Sequence, residues 1–361
     1  MSSNETKVSC DALFGFCAAC FEKLGLSAED AAVTAENLLF ANLRGVDSHG
    51  VIRLKVYADR LRAGGFKADV HPEIISEGDA CASLDARQGV GQVAGLAAMK
   101  LAMAKAEQAG AALVSVRNSN HFGAAAFYAL KAIDRGMIGL AATNAGASMA
   151  PTGGREGRLG NNPVAIAVPA GKYPPLTLDM ATGSVAWGKI FLAQQKGEKI
   201  PAAWALDKHG VPTDDPNAAA DRGLIQPLGG YKGYGLSLFI DILTGVLGGG
   251  AFSTQVKSLY QSLETPSGSA QAFAAIRIDA FLPRTEFCKR VDQLIELMHS
   301  CPLAPGVERI FVPGEIEHET AQRRKSEGIP VNAKLRDELV ALAQELRVPS
   351  PFSADDQAEP V

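Results

Sequence analysis

The sequence predicts a mixed α/β (α+β) fold, and three observations carry that prediction. The first seventy or so residues read as helix throughout. From His71 onward, short apolar runs alternate with helical stretches, the pattern of helices layered on a sheet. The chain then closes on another helical segment, Asn332 to Arg347. With 361 residues, 47% hydrophobic and 20% charged, it is long enough for two domains and a large core.

Residues 8–25 carry apolar positions at helical spacing. Ser27 reads as the N-cap of the next helix, with Asp30 three residues on in the manner of a capping box. That helix runs to about Leu43, and a third covers about Gly50–Ala63 before Gly64-Gly65. Ile74–Ser76 and Ala80–Leu84 read as strands, Ala94–Ala109 as an Ala-rich helix and Leu113–Val116 as a strand. Ala124–Arg135 is helical; Ile138–Thr143, Val164–Val168 and Leu176–Leu178 are strands. Pro201, Pro212, Pro216 and Pro227 make residues 194–230 loop-rich. Tyr234–Leu247 is a strongly apolar helix stopped by Gly248-Gly249-Gly250, and the polar residues 253–271 read as an exposed loop. Phe273–Ile278 is a strand, Arg284–His299 a helix and Ile310–Val312 a strand; the tail from Pro349 is expected to fray.

Composition excludes some partners. Lys plus Arg is 35 against 39 for Asp plus Glu, a net charge of −4, so nothing attracts nucleic acid or an anionic membrane. Met1–Lys7 is polar, and Cys10–Phe21 is too short and interrupted for export or membrane spanning, so a cytoplasmic location is expected. Six cysteines without framework spacing fit a reducing compartment. Cys17 and Cys20 form a CxxC, but no second pair or nearby His completes it, so two buried helix cysteines is the better reading. No zinc signature appears and no metal is expected.

Gly89-Val90-Gly91-Gln92-Val93-Ala94 matches the dinucleotide fingerprint G-x-G-x-x-A between a strand and a helix. The following strand ends Val116-Arg117-Asn118-Ser119, with no acid for a ribose, although Arg117 could meet a 2′-phosphate. A tight turn with Gly for close packing is the better reading.

Five polar segments could carry chemistry. Asp47-Ser48-His49-Gly50 with Arg44 and Arg53 joins a proton-transfer group to a guanidinium that can clamp a carboxylate; the alternative is that Asp47 or Ser48 caps a helix and His49 only packs. Asn118-Ser119-Asn120-His121-Phe122-Gly123 sits in a strand-to-helix loop, where sites gather, or is a polar turn with a surface His. The other three are glycine-rich or hydroxyl-rich loops: Thr143–Asn144 through Pro151-Thr152-Gly153-Gly154 to Gly160-Asn161-Asn162, then Leu178–Ser184, and Gly229–Gly235 with Lys232. Their free amides suit phosphates, but singly each is more often a turn.

Together and in order, RGVDSHGVIRL, NSNHFG, LGNNPVAIAVP, LDMAT, GGYKGYGL and VPGE resemble the malate/L-lactate dehydrogenase family that is distinct from the Rossmann-type lactate and malate dehydrogenases. The resemblance runs from the first helices to about Arg347 and is nearest the Δ1-piperideine-2-carboxylate/Δ1-pyrroline-2-carboxylate reductases. It implies a helical substrate and dimerisation domain from residues 1–72 and 300–361, around a central non-Rossmann mixed-sheet cofactor domain of residues 73–299. It implies a homodimer as well.

The resemblance further implies His49, His121 and Asp179 as catalytic groups. Ser48, Arg53 and Thr152 would meet substrate, with Arg53 on its carboxylate. Asn144, Asn162, Met180, Ala181, Thr182, Gly183, Ser184, Lys232, Pro313, Gly314 and Glu315 would meet the cofactor. The chain reads MATGSVAWGK where MATSVVARGK is usual, so Gly183 and Trp187 depart from the pattern. NADP is the expected cofactor, with NAD as alternative. The expected reaction is hydride transfer to C2 of a small cyclic 2-imino carboxylate. A malate/lactate-type 2-hydroxy acid dehydrogenase is the alternative, and a non-catalytic nucleotide-binding protein the second.

Overall fold

A computed structural model describes residues 5–352. Its centre is a seven-stranded sheet. In chain order the strands are β2 (Glu73–Glu77), β3 (Cys81–Asp85), β4 (Ala111–Ser119), β5 (Met137–Thr143), β6 (Val164–Val168), β7 (Leu176–Met180) and β11 (Ser269–Arg277), following the N-terminal β1 (Glu5–Val8). The sheet order is β2-β3-β4-β11-β5-β6-β7, and only β3–β4 is parallel. That topology is not the doubly wound parallel sheet of a Rossmann domain.

The late strand β11 lies between β4 and β5, so the sheet is completed by residues more than a hundred positions downstream. Against it packs α4 (Gly91–Ala109), whose Ala94, Ala98, Ala102 and Ala106 repeat every fourth residue and are all buried. The small side chains let the helix approach Val114, Val116 and Phe273. Gly91 starts this helix because a Cβ there would lie 2.3 Å from the Asn120 carbonyl oxygen. The packing reading of the G-x-G-x-x-A motif therefore holds, and these residues do not line the main cleft.

The chain ends share a second core. Helices α1 (Cys10–Lys23), α2 (Ala28–Leu43) and α3 (Leu54–Ala63) bury Leu13, Phe21, Leu38 and Tyr57 against Ile329 and Val331 of β12 (Ile329–Asn332) and Leu339 and Leu342 of α11 (Ala333–Leu346). β1 pairs antiparallel with β12, Glu5 opposite Asn332. Ser27 caps α2 through its side chain, as its position in the sequence suggests, and Asn332, expected as the first residue of the last helix, caps α11. Cys17 and Cys20 are fully buried in this core, and burial pushes the Cys20 thiol up to about 12 and the Cys17 thiol well above its ordinary value. Neither is a reactive thiolate. Among the described residues no group of His, Cys, Asp or Glu could hold a metal, and no helix is long and apolar enough to cross a membrane.

Several elements differ from expectation. Residues 47–53 form two 3-10 turns, Asp47–His49 and Val51–Arg53, not the start of α3. Asn42 takes the Val51 N–H, which holds the chain out of an α-turn there. The loop-rich stretch is a small folded unit of α6 (Trp187–Lys196), α7 (Pro216–Ala220) and the sheet of β8 (Ala205–Leu206), β9 (Pro212–Thr213) and β10 (Leu224–Ile225), packed on Met149, Ile190 and Ile225. The apolar helix α8 (Tyr231–Asp241) continues as a π-helix, Ile242–Val246, and α9 (Arg284–His299) follows β11. Residues 310–312 are not a strand; Thr177 N–H reaches only the Pro313 carbonyl, at 2.9 Å. After them comes α10 (Glu315–Glu327), which is polar on nearly every face and had no apolar period to announce it. Phe352 is buried in the helical core, so the chain is anchored at least that far, and the expected fraying beyond it lies outside the described residues.

Candidate active site

A cleft of about 1000 Å³ opens between the two cores. Its walls are the turn after α2, the loop from β4 to α5 (Ala125–Lys131), residues 143–148 after β5, the end of β7, residues 254–269 and residues 311–317. His49, His121, Asp179, Asn144, Met180, Ala181, Pro313 and Gly314 all line it.

The turn that presents His49 is fixed from a distance. Asn42, at the end of α2, donates to Asp47 Oδ1 at 2.6 Å and accepts the Val51 N–H at 2.7 Å. Arg324 of α10 grips both oxygens of Asp47, at 2.6 and 2.9 Å, and also the Asn42 carbonyl. Gly50 is required by contact, because a Cβ there would lie 2.1 Å from Asn42 Oδ1. Asp47 thus braces the turn. Ser48 Oγ lies 3.0 Å from His49 Nδ1.

In the second segment the small polar residues also brace. Asn120 is fully buried; it donates to the Gln88 and Gly89 carbonyls and accepts the Ser267 N–H. Ser119 accepts from Gln271 at 2.8 Å. His121 lines the cleft, together with Phe122 and Gly123. Its Nδ1 lies 2.5 Å from Tyr57 Oη and accepts the Gly123 N–H at 3.3 Å, and Gln92 Nε2 donates to Tyr57 Oη at 3.1 Å.

The two imidazoles stack with centroids 5.6 Å apart and planes 20° from parallel. Burial, reinforced by Arg53, holds His49 down at about 4. Burial, then His49 and Arg53, holds His121 well below its ordinary value. Both rings are neutral at physiological pH. Arg53 donates from Nε to the Ser48 carbonyl at 2.6 Å, and its guanidinium lies 5.3 Å from the Tyr260 ring centroid. It has no carboxylate partner among the described residues. A half-buried cation without an anion, close to two neutral imidazoles, has the chemistry to receive an anion.

Asp179 opens onto the same cleft. Burial raises its carboxyl to about 6, against the Ala126 N–H at 3.0 Å and the Arg44 charge, while Glu317 adds to the rise. Of the other expected residues, Ser48 and Arg53 do not themselves line the cleft, and Asn144 enters the wall with its side chain bonded to Asp241 and to the Ala251 and Ala270 backbones. Asn162 is a brace between the Ala145 N–H and the Ser237 carbonyl. Thr182, Gly183 and Ser184 lie one layer back. Ser184 is tied to Trp204 and Gln226, and the buried Thr182 Oγ1 has no partner. Glu315 is nearly buried beneath the cleft, accepting from the Val312 N–H and 3.1 Å from His299. Thr152 is exposed on its loop, outside the cleft. Lys232 is exposed at the start of α8, next to Gly233, which packs against the Thr182 carbonyl.

Other residues of the site were not expected. Residues 254–261, read as exposed loop, supply Lys257, Ser258 and Tyr260 to the cleft wall. The fully buried Arg60 holds this segment by the carbonyls of Leu259, Ser262 and Thr265. Tyr57 and Gln92 sit in an amphipathic helix and in the glycine motif, and nothing local marks them as partners of His121. Trp187, noted as a departure, does line the cleft and stacks on Phe191.

The cleft suits a nicotinamide dinucleotide. Gly146 and Ala147 present backbone N–H groups that pair with nothing among the described residues, and the orphaned Thr182 hydroxyl lies just behind Ala181. Gly314 has φ +94 and touches Thr177, so the 313–314 wall comes close to β7 only because it lacks a side chain.

The family model described as malate/L-lactate dehydrogenase matches residues 8–340. The malate dehydrogenase of Pyrococcus abyssi is 42% identical over 355 residues, 96% of this chain and 97% of its own. The solved sulfolactate dehydrogenase of Methanocaldococcus jannaschii superimposes with a TM-score of 0.90 at 38% identity, over 95% of this chain and 98% of its own. The Delta(1)-pyrroline-2-carboxylate/Delta(1)-piperideine-2-carboxylate reductase of Pseudomonas putida is 32% identical over 87% of this chain and 90% of its own.

Proposed function

The chain belongs to the malate/L-lactate dehydrogenase family and is an oxidoreductase, and from that premise we propose that it interconverts a small 2-hydroxy carboxylate and its 2-oxo acid, in the manner of a malate or sulfolactate dehydrogenase. The observation that carries this reading is Arg53, a cation without a carboxylate partner, beside the stacked, uncharged pair His49 and His121. The expectation of a cyclic 2-imino carboxylate as first substrate gives way to it. The relatives that act on 2-hydroxy acids are the more similar ones, and no residue of the cleft favours a ring imine. The preference for NADP rested on those imine reductases and goes with it, so the cofactor is taken as NAD or NADP.

In this reading Arg53 binds the substrate carboxylate and so fixes C2 and its oxygen. His121 meets that oxygen and gives it a proton as negative charge develops, a contribution of roughly 10²–10⁴ in rate. Ser48 orients His49, whose ring stacks on His121 and keeps it uncharged before substrate arrives. The bound reduced nicotinamide supplies the hydride. Asn144, Met180, Ala181, Pro313 and Gly314 form the wall against which it lies, with Asn162, Thr182, Gly183, Ser184 and Glu315 bracing that wall. Asp179 sets the local charge together with Arg44 and Glu317. Lys232 remains a proposed cofactor contact at the edge of this wall, and Thr152 a proposed substrate contact from its loop.

We also propose a cytoplasmic homodimer. The free cysteines suit a reducing compartment. Helix α8 and the residue after the π-helix expose Tyr231, Phe239 and Leu247 at 60% or more, an apolar face that fits a second copy. Sedimentation at micromolar concentration tests the dimer.

The function is tested by crossing NADH and NADPH with oxaloacetate, sulfopyruvate, pyruvate and piperideine-2-carboxylate. The proposal expects fastest cofactor oxidation with a 2-oxo acid. Faster oxidation with the imine restores the first expectation, and none with any substrate removes the catalytic reading.

A further inference from the structure

The bonding around His121 carries more than its position. A backbone N–H can only donate, and the Gly123 amide points at His121 Nδ1 from 3.3 Å. Neutral His121 therefore carries no hydrogen on Nδ1. Tyr57 Oη, 2.5 Å from the same nitrogen, must then be the donor of that bond. Having given its hydrogen to His121, the hydroxyl accepts from Gln92, whose Nε2 lies 3.1 Å away. The opposite orientation of the Gln92 amide would turn its oxygen toward Tyr57 and take the phenolic hydrogen away from His121. The chain of bonds Gln92 → Tyr57 → His121 thus has one direction. Gln92 and Tyr57 are both fully buried, so the bond between them is shielded from solvent.

We infer that Tyr57 is a positioning residue that forces the His121 hydrogen onto Nε2, facing the cleft, and lends the ring its own proton during reduction. The inference rests on the reading of His121 as the proton donor to a 2-oxo acid. As C2 accepts hydride, the Nε2–H bond of His121 breaks and the new O–H bond of the product forms. In the same step the phenolic O–H of Tyr57 breaks and an Nδ1–H bond forms, so the imidazole stays neutral. Burial pushes the Tyr57 phenol up to about 12, against the lowering by the Arg53 charge and the Gln92 N–H, so the phenolate is short-lived and takes its proton back within the turnover. After product leaves, a water proton returns to Nε2 and the Nδ1 proton returns to Tyr57. One solvent proton is consumed per turnover. The relay removes the need for a charged imidazolium in a place where Arg53 and a second imidazole oppose one.

The test combines nitrogen-15 NMR of histidine-labelled enzyme, with His121 assigned from a His121→Gln sample, and steady-state kinetics of Tyr57→Phe. The phenylalanine keeps the ring that packs on Phe21 and Phe66 and deletes only the hydroxyl. The wild type should show its one-bond N–H coupling at Nε2 and none at Nδ1. Tyr57→Phe should lose about tenfold or more in kcat, while KM and cofactor Kd stay within about twofold. A hydrogen on Nδ1 in the wild type, or a Tyr57→Phe enzyme with wild-type kcat, overturns the inference. The NMR result needs no turnover and decides the tautomer even if the Phe variant is unstable. Failure of the function reading looks different, because the wild type would then oxidise no reduced cofactor with any 2-oxo acid.

Discussion

The imidazoles of His49 and His121 lie face to face, 5.6 Å apart, although 72 positions separate them in the chain. Burial lowers the basicity of both, His49 lowers that of His121 further, and Arg53 lowers both. The pair therefore offers one proton-transfer group at a time. His121→Gln, which keeps a hydrogen-bonding side chain, should lower kcat by roughly 10²–10⁴ and leave NADH binding, followed by fluorescence, unchanged. Wild-type turnover in that variant would move the proton donor elsewhere.

Stability should carry the mark of His49. Its folded-state value of about 4 lies below the ordinary 6.5, so the unfolded chain binds the proton more readily. Stability is complete above pH 6.5 and is lost as pH falls toward 4, by about 3 kcal/mol. Asp179 runs the other way, because its raised value favours the protonated folded state as pH falls through about 6. Comparison of the wild type with His49→Gln isolates the histidine. Urea unfolding between pH 4 and 7 should show the variant as the less acid-sensitive protein.

Arg53 should act on binding before it acts on rate. Arg53→Met should cost roughly 1.5–3 kcal/mol in kcat/KM for a carboxylate substrate, mostly through KM. Arg53→Lys should recover little of it, since an ammonium cannot reproduce the fork that spans the Ser48 carbonyl and a substrate oxygen. Steady-state kinetics of the two variants side by side decide this.

The turn that holds His49 gives a steric prediction. Gly50 has negative φ, so alanine is allowed by its backbone, but the added methyl would strike Asn42. Gly50→Ala should destabilise by about 1–3 kcal/mol and should lower kcat as His49 shifts. Thermal denaturation and kinetics of the same preparation check both parts.

Much of this site could be read in the sequence because it is local. Ser27 announces its helix, and the DSHG and NSNHF loops carry their histidines within a few residues of the glycines that shape the turns. What escaped is nonlocal. Tyr57 looks like one more core aromatic of α3, and Gln92 like a polar residue at a helix start, until the fold brings both to His121. Residues 254–261 are polar and unpatterned, and they become a cleft wall only because Arg60 captures their carbonyls. Helix α10 has no apolar stripe. Its Arg324, which pins Asp47 from 277 residues away, has no counterpart in any local pattern.

The most direct measurement is the fate of a labelled hydride. Enzyme, oxaloacetate and NADH or NADPH deuterated at C4 on either face are incubated, and the malate formed is analysed by proton NMR. The account predicts deuterium at C2 from one face of the ring only, formed roughly 10²–10⁴ times more slowly with His121→Gln. Unlabelled malate from both isotopomers, or no malate from this or any other 2-oxo acid, would contradict it.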